Sequence, residues 1–510
     1  MRTTLLLCRR FLAEYARNAP NILLLVLVPA IFVLTAAPAL ADAARLLGGA
    51  AGGSGMETVT AGWAASFLTA VAMYFQVADS RRADRRLLVC GLPRHQLVVA
   101  RLGVGVGLAT LASTAALLTL AARNAMDVPL RVILGTLLFG LVYVGVGAIV
   151  GATVPTAVNG TALVLFVWIL DVFFGPMLSG SDSPLLRLLP THYVSLWLAG
   201  LPSGHPGPST LSWSLIWLVG ALLAATIVVG ASVSPTRLRN QEHPGSWGAL
   251  RSGLQAGWHD LRRTPVLWVL LAAVPAVFVL LSAAITPHGQ TPVRLVERGV
   301  SAIAIVDPAE FHPGTMAPIA IGSLATLTGV FIVLDARIAD RRLALAGFRV
   351  PALLSVRLLL VLAAAGLTTA VTLGVTSTVF SARRWGVYAF GNALVAVMYA
   401  LIGVTLGPIF GRVGSVFLAF VIPFLDLGIW QSPMLRGEPA PWARWLPGYG
   451  PIRIVLDGAL TDNFDETRSL VIALVWTCLF LVIAIVVLVP HMTRLRHQRA
   501  FPANPARSRP

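Results

Sequence analysis

The chain has 510 residues, of which 57% are hydrophobic and only 12% charged, with a formal net charge of +17. A soluble protein carries roughly twice that charged fraction, so the composition excludes a water-soluble enzyme and implies a polytopic helical membrane protein. All 38 basic residues are arginine. A P-loop needs its lysine on the nucleotide phosphates, so the chain holds no standard ATP site of its own.

Taken in chain order, twelve stretches approach the ~20 apolar residues that cross a hydrocarbon core. They are 21–40, 61–79, 101–122, 131–153, 159–178, 209–232, 265–285, 314–334, 356–380, 386–408, 413–433 and 469–490. An even number puts both termini on one side. With the N-terminus inside, the larger share of the arginines falls on inner segments, so the positive-inside rule predicts both termini in the cytoplasm. The same rule accounts for the positive charge without a nucleic-acid partner. Cys8, Cys90 and Cys478 are scattered, and His192, His205 and His312 have no ligand spacing. No metal site, cofactor site or catalytic constellation is expected in this chain.

The sequence repeats itself. Asp79–Leu102 and Asp335–Leu358 align without gaps and agree at 11 of 24 positions, among them Asp84/Asp340, Arg85/Arg341, Gly91/Gly347 and Arg101/Arg357. Further echoes follow in the same order: Tyr143 and Tyr399, "LDVFFGPML" and "LDLGIWQSPML", "LLPTHY" and "WLPGYG". The expected fold is all-α, twelve transmembrane helices as two tandem six-helix repeats. The expected boundaries are 1–233 for the first half, 234–247 for a cytoplasmic linker, 248–490 for the second half and 491–510 for a basic tail.

Each repeat spells a basic turn after its second span, "ADRRLLVCG" and "ADRRLALAG". Gly91 and Gly347 suit the position that closes a short helix, with Pro93 and Pro351 soon after. Ala83, Leu87 and Gly91 recur every fourth residue, as do Ala339, Leu343 and Gly347, which predicts an apolar edge beside a guanidinium edge. Basic residues here satisfy topology, and arginine binds lipid phosphate well. Topology does not require the same Asp-Arg-Arg-Leu twice, which points to a partner with two equivalent faces.

On these features the chain resembles permeases of the type-2 ABC exporter family, the fold shared with G-subfamily ABC transporters. The resemblance implies an amphipathic connecting helix before each half, at Leu5–Pro20 and Gly248–Pro265, and short outer helices at Leu188–Leu201 and Trp445–Leu460. It implies coupling helices that dock on an ATPase, at Asp79–Arg101 and Asp335–Arg357. The implied contacts are Arg81, Asp84, Arg85, Arg86, Leu87 and Gly91, and Arg337, Asp340, Arg341, Arg342, Leu343 and Gly347. Two copies of a separate ATP-binding subunit would then bind the ATP and Mg, and this chain would be a permease rather than an enzyme. The implied cargo is a lipophilic small molecule, a drug or antibiotic drawn from membrane lipid and exported. The all-arginine, Ala-, Gly- and Val-rich usage suggests a GC-rich bacterial genome, so the expected location is a bacterial inner (plasma) membrane.

Asp171 and Asp426 hold matching places in the fifth span of each half. Charge there is costly and marks function by default, although hydration near the interface or pairing with Arg187 or Arg444 serves equally well. Asn159 and Asn392, with Gln76 and Gln431, are weaker candidates that suit interhelical hydrogen bonds. Gly147/Gly151 and Gly403/Gly407 predict close helix packing. A second reading stays open here: a proton-coupled secondary transporter of the major facilitator type, also six plus six spans. Its basic motif carries a glycine inside the basic cluster, which "ADRRLLVCG" lacks.

Overall fold

The computed structural model describes residues 2–46, 53–123, 128–154, 156–178, 184–199, 210–232, 265–297, 300–345, 350–435 and 438–493. The linker 234–247, the segment 248–264, Gly347 and the tail from 494 lie outside the described residues. The helices are α1 Arg2–Ala16, α2 Ala19–Leu46, α3 Gly53–Ala78, α4 Arg81–Val89, α5 Arg94–Arg123, α6 Pro129–Thr153, α7 Ala157–Phe173, α8 His192–Ala199 and α9 Thr210–Ser232. They continue as α10 Pro265–Ile285, α11 Pro308–Leu345, α12 Val350–Thr376, α13 Trp385–Pro423, α14 Tyr449–Leu460 and α15 Thr467–Thr493.

Among the described residues, nine helices are long and apolar enough to cross a membrane. Two shorter apolar helices, Ala157–Phe173 and Ala272–Ala284, accompany them. The stretches 386–408 and 413–433 share one element, Trp385–Trp430, broken at Gly411. The protein is thus a mostly helical, multi-pass membrane protein. α3 has the lowest hydropathy of the nine yet is the most buried, while α15 has the highest and is the least buried. That ordering suits lipid as solvent: peripheral helices must match hydrocarbon, and central ones can carry polar groups that bond to one another.

The glycine pairs set the closest approaches. A Cβ on Gly147 or Gly151 would overlap the backbone of Ala70 or Tyr74, and one on Gly403 would overlap that of Thr326. α6 therefore lies backbone to backbone on α3, and α13 on α11, as the small-residue spacing predicts.

α1 buries Phe11 and Tyr15 and exposes Arg9 and Arg10. The Cys8 thiol, 3.4 Å from the Ala100 carbonyl, docks it on α5.

The mostly helical fold agrees with the all-α class expected, but not every element is a helix: Thr291–Glu297 and Val300–Val306 pair antiparallel, Thr291 opposite Val306 and Glu297 opposite Val300. Alternation drives this hairpin, with Val293 and Leu295 buried while Ile303 and Ile305 stay exposed. Arg453 fastens it, donating to the Arg294 carbonyl at 2.9 Å and pairing with Glu466 at 2.8 Å.

Nor are the two basic turns alike. The first is a separate helix, α4, whereas the second continues α11 without a break through Leu345. The residue at the junction explains the difference. Ser80 Oγ lies 2.6 Å from the Gln76 carbonyl, a side-chain bond that competes with the helical ladder. The second copy has Ala336, the strongest helix former, at the matching place.

Candidate functional site

The first basic turn is built around a buried ion pair. Arg101 on α5 grips Asp84 on α4 with two nitrogens, Nη2 at 2.6 Å and Nε at 3.1 Å. Its third nitrogen donates to Gln76 on α3 at 3.0 Å, and its guanidinium stacks 3.7 Å over the Phe11 ring of α1. One arginine thereby joins four helices. The reversal that brings residues 84 and 101 together closes at Gly91, which holds φ +91. There the amide of Leu92 returns to the Leu87 carbonyl at 3.1 Å, a glycine-dependent helix end. The same pair recurs in the second half, where Arg357 grips Asp340 at 2.6 and 3.0 Å.

Arg81 and Arg85 are engaged inside the molecule. Arg81 donates to the carbonyls of Gly151 and Val154, with Nε at 3.0 Å from the first. Arg85 reaches the Ser232 carbonyl at 3.4 Å. Each thus places positive charge on the unsatisfied C-terminal carbonyls of another span, α6 and α9, where the helix dipole favours it. Burial pushes the Arg81 guanidinium below its ordinary value.

The turn therefore presents Arg82 and Arg86 outward, while Asp84 is buried and Leu87 half-buried. The predicted apolar edge is not the inward one: Ala83 and Gly91 are exposed. In the second turn Asp340 is buried, Arg342 exposed, and Arg337 and Leu343 half-buried; Arg341 lies on the same helix.

Asp171 and Asp426 are each wrapped by donors. Asp171 accepts from the Tyr143 hydroxyl at 2.9 Å, the Thr191 hydroxyl at 2.6 Å and the Thr191 amide at 3.1 Å. Asp426 accepts from the Tyr399 hydroxyl at 2.6 Å, the Gly448 amide at 2.8 Å and Gln431 at 3.4 Å. In each case the carboxylate links a long helix, α6 or α13, to the residue just before a short one, α8 or α14. Both carboxylates are almost wholly enclosed by protein. Arg444 pairs with Glu438 instead of Asp426. Asn392 donates to the Tyr388 carbonyl at 2.9 Å, and Asn159 is buried on α7.

Between the two parts of the chain lies a cluster of rings that no motif revealed. Phe32, Phe67 and Trp168 meet Phe420 and Phe424 with centroids 4.7–5.4 Å apart across the junction. Trp168 is fixed by its indole N–H on the Trp63 carbonyl at 2.9 Å. Further toward the hairpin end lies a cavity of about 70 Å³. Its walls are apolar, with Leu40, Phe278, Met316, Phe424 and Met434 among them, and the His312–Thr286 pair at 2.7 Å supplies polarity. No group of three or more metal-ligating side chains occurs among the described residues.

Residues 58–231 match the model of the ABC-2 family transporter proteins. The matched stretch runs from α3 to α9 and contains the first basic turn, the Asp84–Arg101 junction and Asp171. It supports an ABC-2 type transport permease. No curated protein matches the chain.

Proposed function

We propose that this chain is the permease of an ATP-driven exporter, supplying both transmembrane halves to a pair of separate ATP-binding subunits. The ABC-2 match over the first basic turn carries this reading. The recurrence of its buried Asp–Arg junction at Asp340–Arg357 extends it to the second half. In this reading the twelve spans form two tandem six-span repeats with a G-subfamily-like fold, both termini lie in the cytoplasm of a bacterial inner membrane, and the two basic turns receive the ATPase.

Docking then falls to the outward residues Arg82, Arg86 and Arg342. Asp84 and Asp340 act underneath, holding each turn to the helix that follows it. The ATP and Mg belong to the partner. The apolar cavity and ring-lined path suit a lipophilic substrate with few polar groups, such as a drug or antibiotic. Enclosing Asp171 and Asp426 within hydrogen bonds suits tethers rather than proton carriers, and the family match gives no support to a major facilitator transporter.

The test is co-purification with an ATP-binding subunit and ATP-dependent efflux. Arg86→Glu combined with Arg342→Glu is expected to release the subunit while insertion and yield hold. An unchanged complex and unchanged efflux would sink the assignment of these turns. Transport by the isolated chain under a proton gradient would sink the ATP-driven reading.

A further inference from the structure

Asp79 and Asp335 open the two copies of the repeated segment, 256 positions apart. They sit at matching places, one just past the end of α3 and the other within α11. In the folded chain both turn toward a single cation. Arg412 places Nη2 2.5 Å from Asp335 and Nη1 3.9 Å from Asp79. Each arm of the guanidinium thus faces the carboxylate of a different half. The place corresponding to Arg412 in the first half is Thr156, so the cation is unmatched and serves both copies.

The backbone is shaped for this. Gly411 adopts φ +70 and ψ −172 in the middle of α13, a conformation essentially confined to glycine. Nothing crowds the space where its Cβ would sit, so backbone conformation, not packing, is what calls for glycine here. The break frees carbonyls of the preceding turn, and the Ser415 hydroxyl takes up that of Leu406 at 2.8 Å. The kink redirects the chain just before Arg412. Just beyond it, a Cβ on Gly414 would meet Leu24 of α2, so the first half also presses on this segment.

We propose that Asp79, Arg412 and Asp335 form an ionic latch that holds the basic ends of the two halves together and closes the path there. Without the cation, two like charges would face each other across the junction, and Coulomb repulsion would drive the ends apart. All three groups are partly exposed, so the latch is salt-sensitive and weak enough to open in a working cycle. Separation at this end would also remove the support of the ring cluster. The latch does not depend on whether ATP or another source drives transport.

The test uses the full chain in lipid nanodiscs, with Cys8, Cys90 and Cys478 replaced by serine. Spin labels go at Ala83 and Ala339, exposed matching positions on the two turns. Electron–electron distance measurements should give one short-distance population in the parent. Arg412→Gln should add a longer-distance population, Arg412→Lys should largely retain the short one, and Asp79→Asn with Asp335→Asn on the Arg412→Gln background should restore it. Raising salt from about 0.05 to about 1 M should lengthen the parent distances and shorten those of Arg412→Gln, where salt screens the repulsion between the two carboxylates. An unchanged distribution in Arg412→Gln overturns the proposal, as does failure of acid neutralisation to bring the short distance back. Should Arg412→Gln not fold, the salt response of the parent and the Arg412→Lys distances decide: a salt-insensitive parent overturns it.

Discussion

Replacing Arg101 with alanine tests the junction beneath the first basic turn. The side chains of Arg101 and Asp84 are 5% and 4% exposed, whereas that of Arg357 in the matching pair is 18% exposed. Removing the cation leaves the Ser80 hydroxyl, 3.1 Å away, as the remaining donor to Asp84 among the described residues. Breaking a buried pair by deleting one partner costs about 3–5 kcal/mol. Losing the stack on Phe11 adds about 0.5–2 kcal/mol. Together these approach the lower end of the ~5–15 kcal/mol that separates folded from unfolded domains.

The Arg101→Met, Asp84→Leu double variant removes both charges and keeps the volume, and such replacements are often neutral or stabilising. It should therefore be more stable than Arg101→Ala. Arg357→Ala should fall between, because water reaches that pair. The measurement is the fraction of detergent-solubilised protein that stays monodisperse after heating. If Arg101→Ala and the double variant melt together, Asp84 is not a buried unpaired charge and the argument fails.

Gly403→Ala places a methyl group on the Thr326 backbone, so it should cost at least the ~1–3 kcal/mol of an overpacked core. Gly220→Ala, in open space, should leave the melting temperature unchanged in the same assay. Asp171→Asn and Asp426→Asn keep an acceptor for the tyrosine and backbone donors. They should retain most transport, and a complete loss in the asparagine variants would instead indicate a proton carrier. His192 opens α8, where burial, and secondarily Arg187, lower its pKa to about 4. A histidine depressed below its ordinary value of about 6.5 stabilises the fold fully above that value and loses the contribution as pH falls toward 4. Wild-type protein should therefore lose stability relative to His192→Gln between those limits. Parallel melting curves across that range would contradict the buried, neutral imidazole.

The apolar spans and glycine pairs were legible because they depend on local composition and spacing. The Asp84–Arg101 and Asp340–Arg357 pairs were both present among the identities of the repeat, always 17 residues apart. Their contacts could not be read from helical period, since each joins two separate helices; the first exists only after the chain reverses at Gly91. Helical spacing put Arg81 and Arg85 on a guanidinium edge facing a partner, whereas their acceptors lie within the chain, 70 and 147 residues away. Ser80 and Ala336 held the difference between the two turns in a single side chain. The hairpin was signalled by the alternation of Thr291–Val306, which a search tuned to long apolar runs passes over. The partners of Arg412, Asp335 and Asp79, lie 77 and 333 residues away and follow from topology alone.

The polar groups of the first half lie in two layers joined by one helix. In its last turn α6 places Gly151 under Arg81, and two turns back, about 12 Å along the axis, it carries Tyr143 on Asp171. Between them Gly147 rests on the α3 backbone, where there is no soft side chain to absorb a displacement. In the proposed cycle, a push on the basic turn would travel along α6 to the carboxylate that holds Thr191 and the start of α8. The second half repeats Tyr399, Gly403 and Gly407 on α13, but there the chain continues through the kink at Gly411 to Arg412. The two halves share the lever, and only the second ends in the group that reaches both.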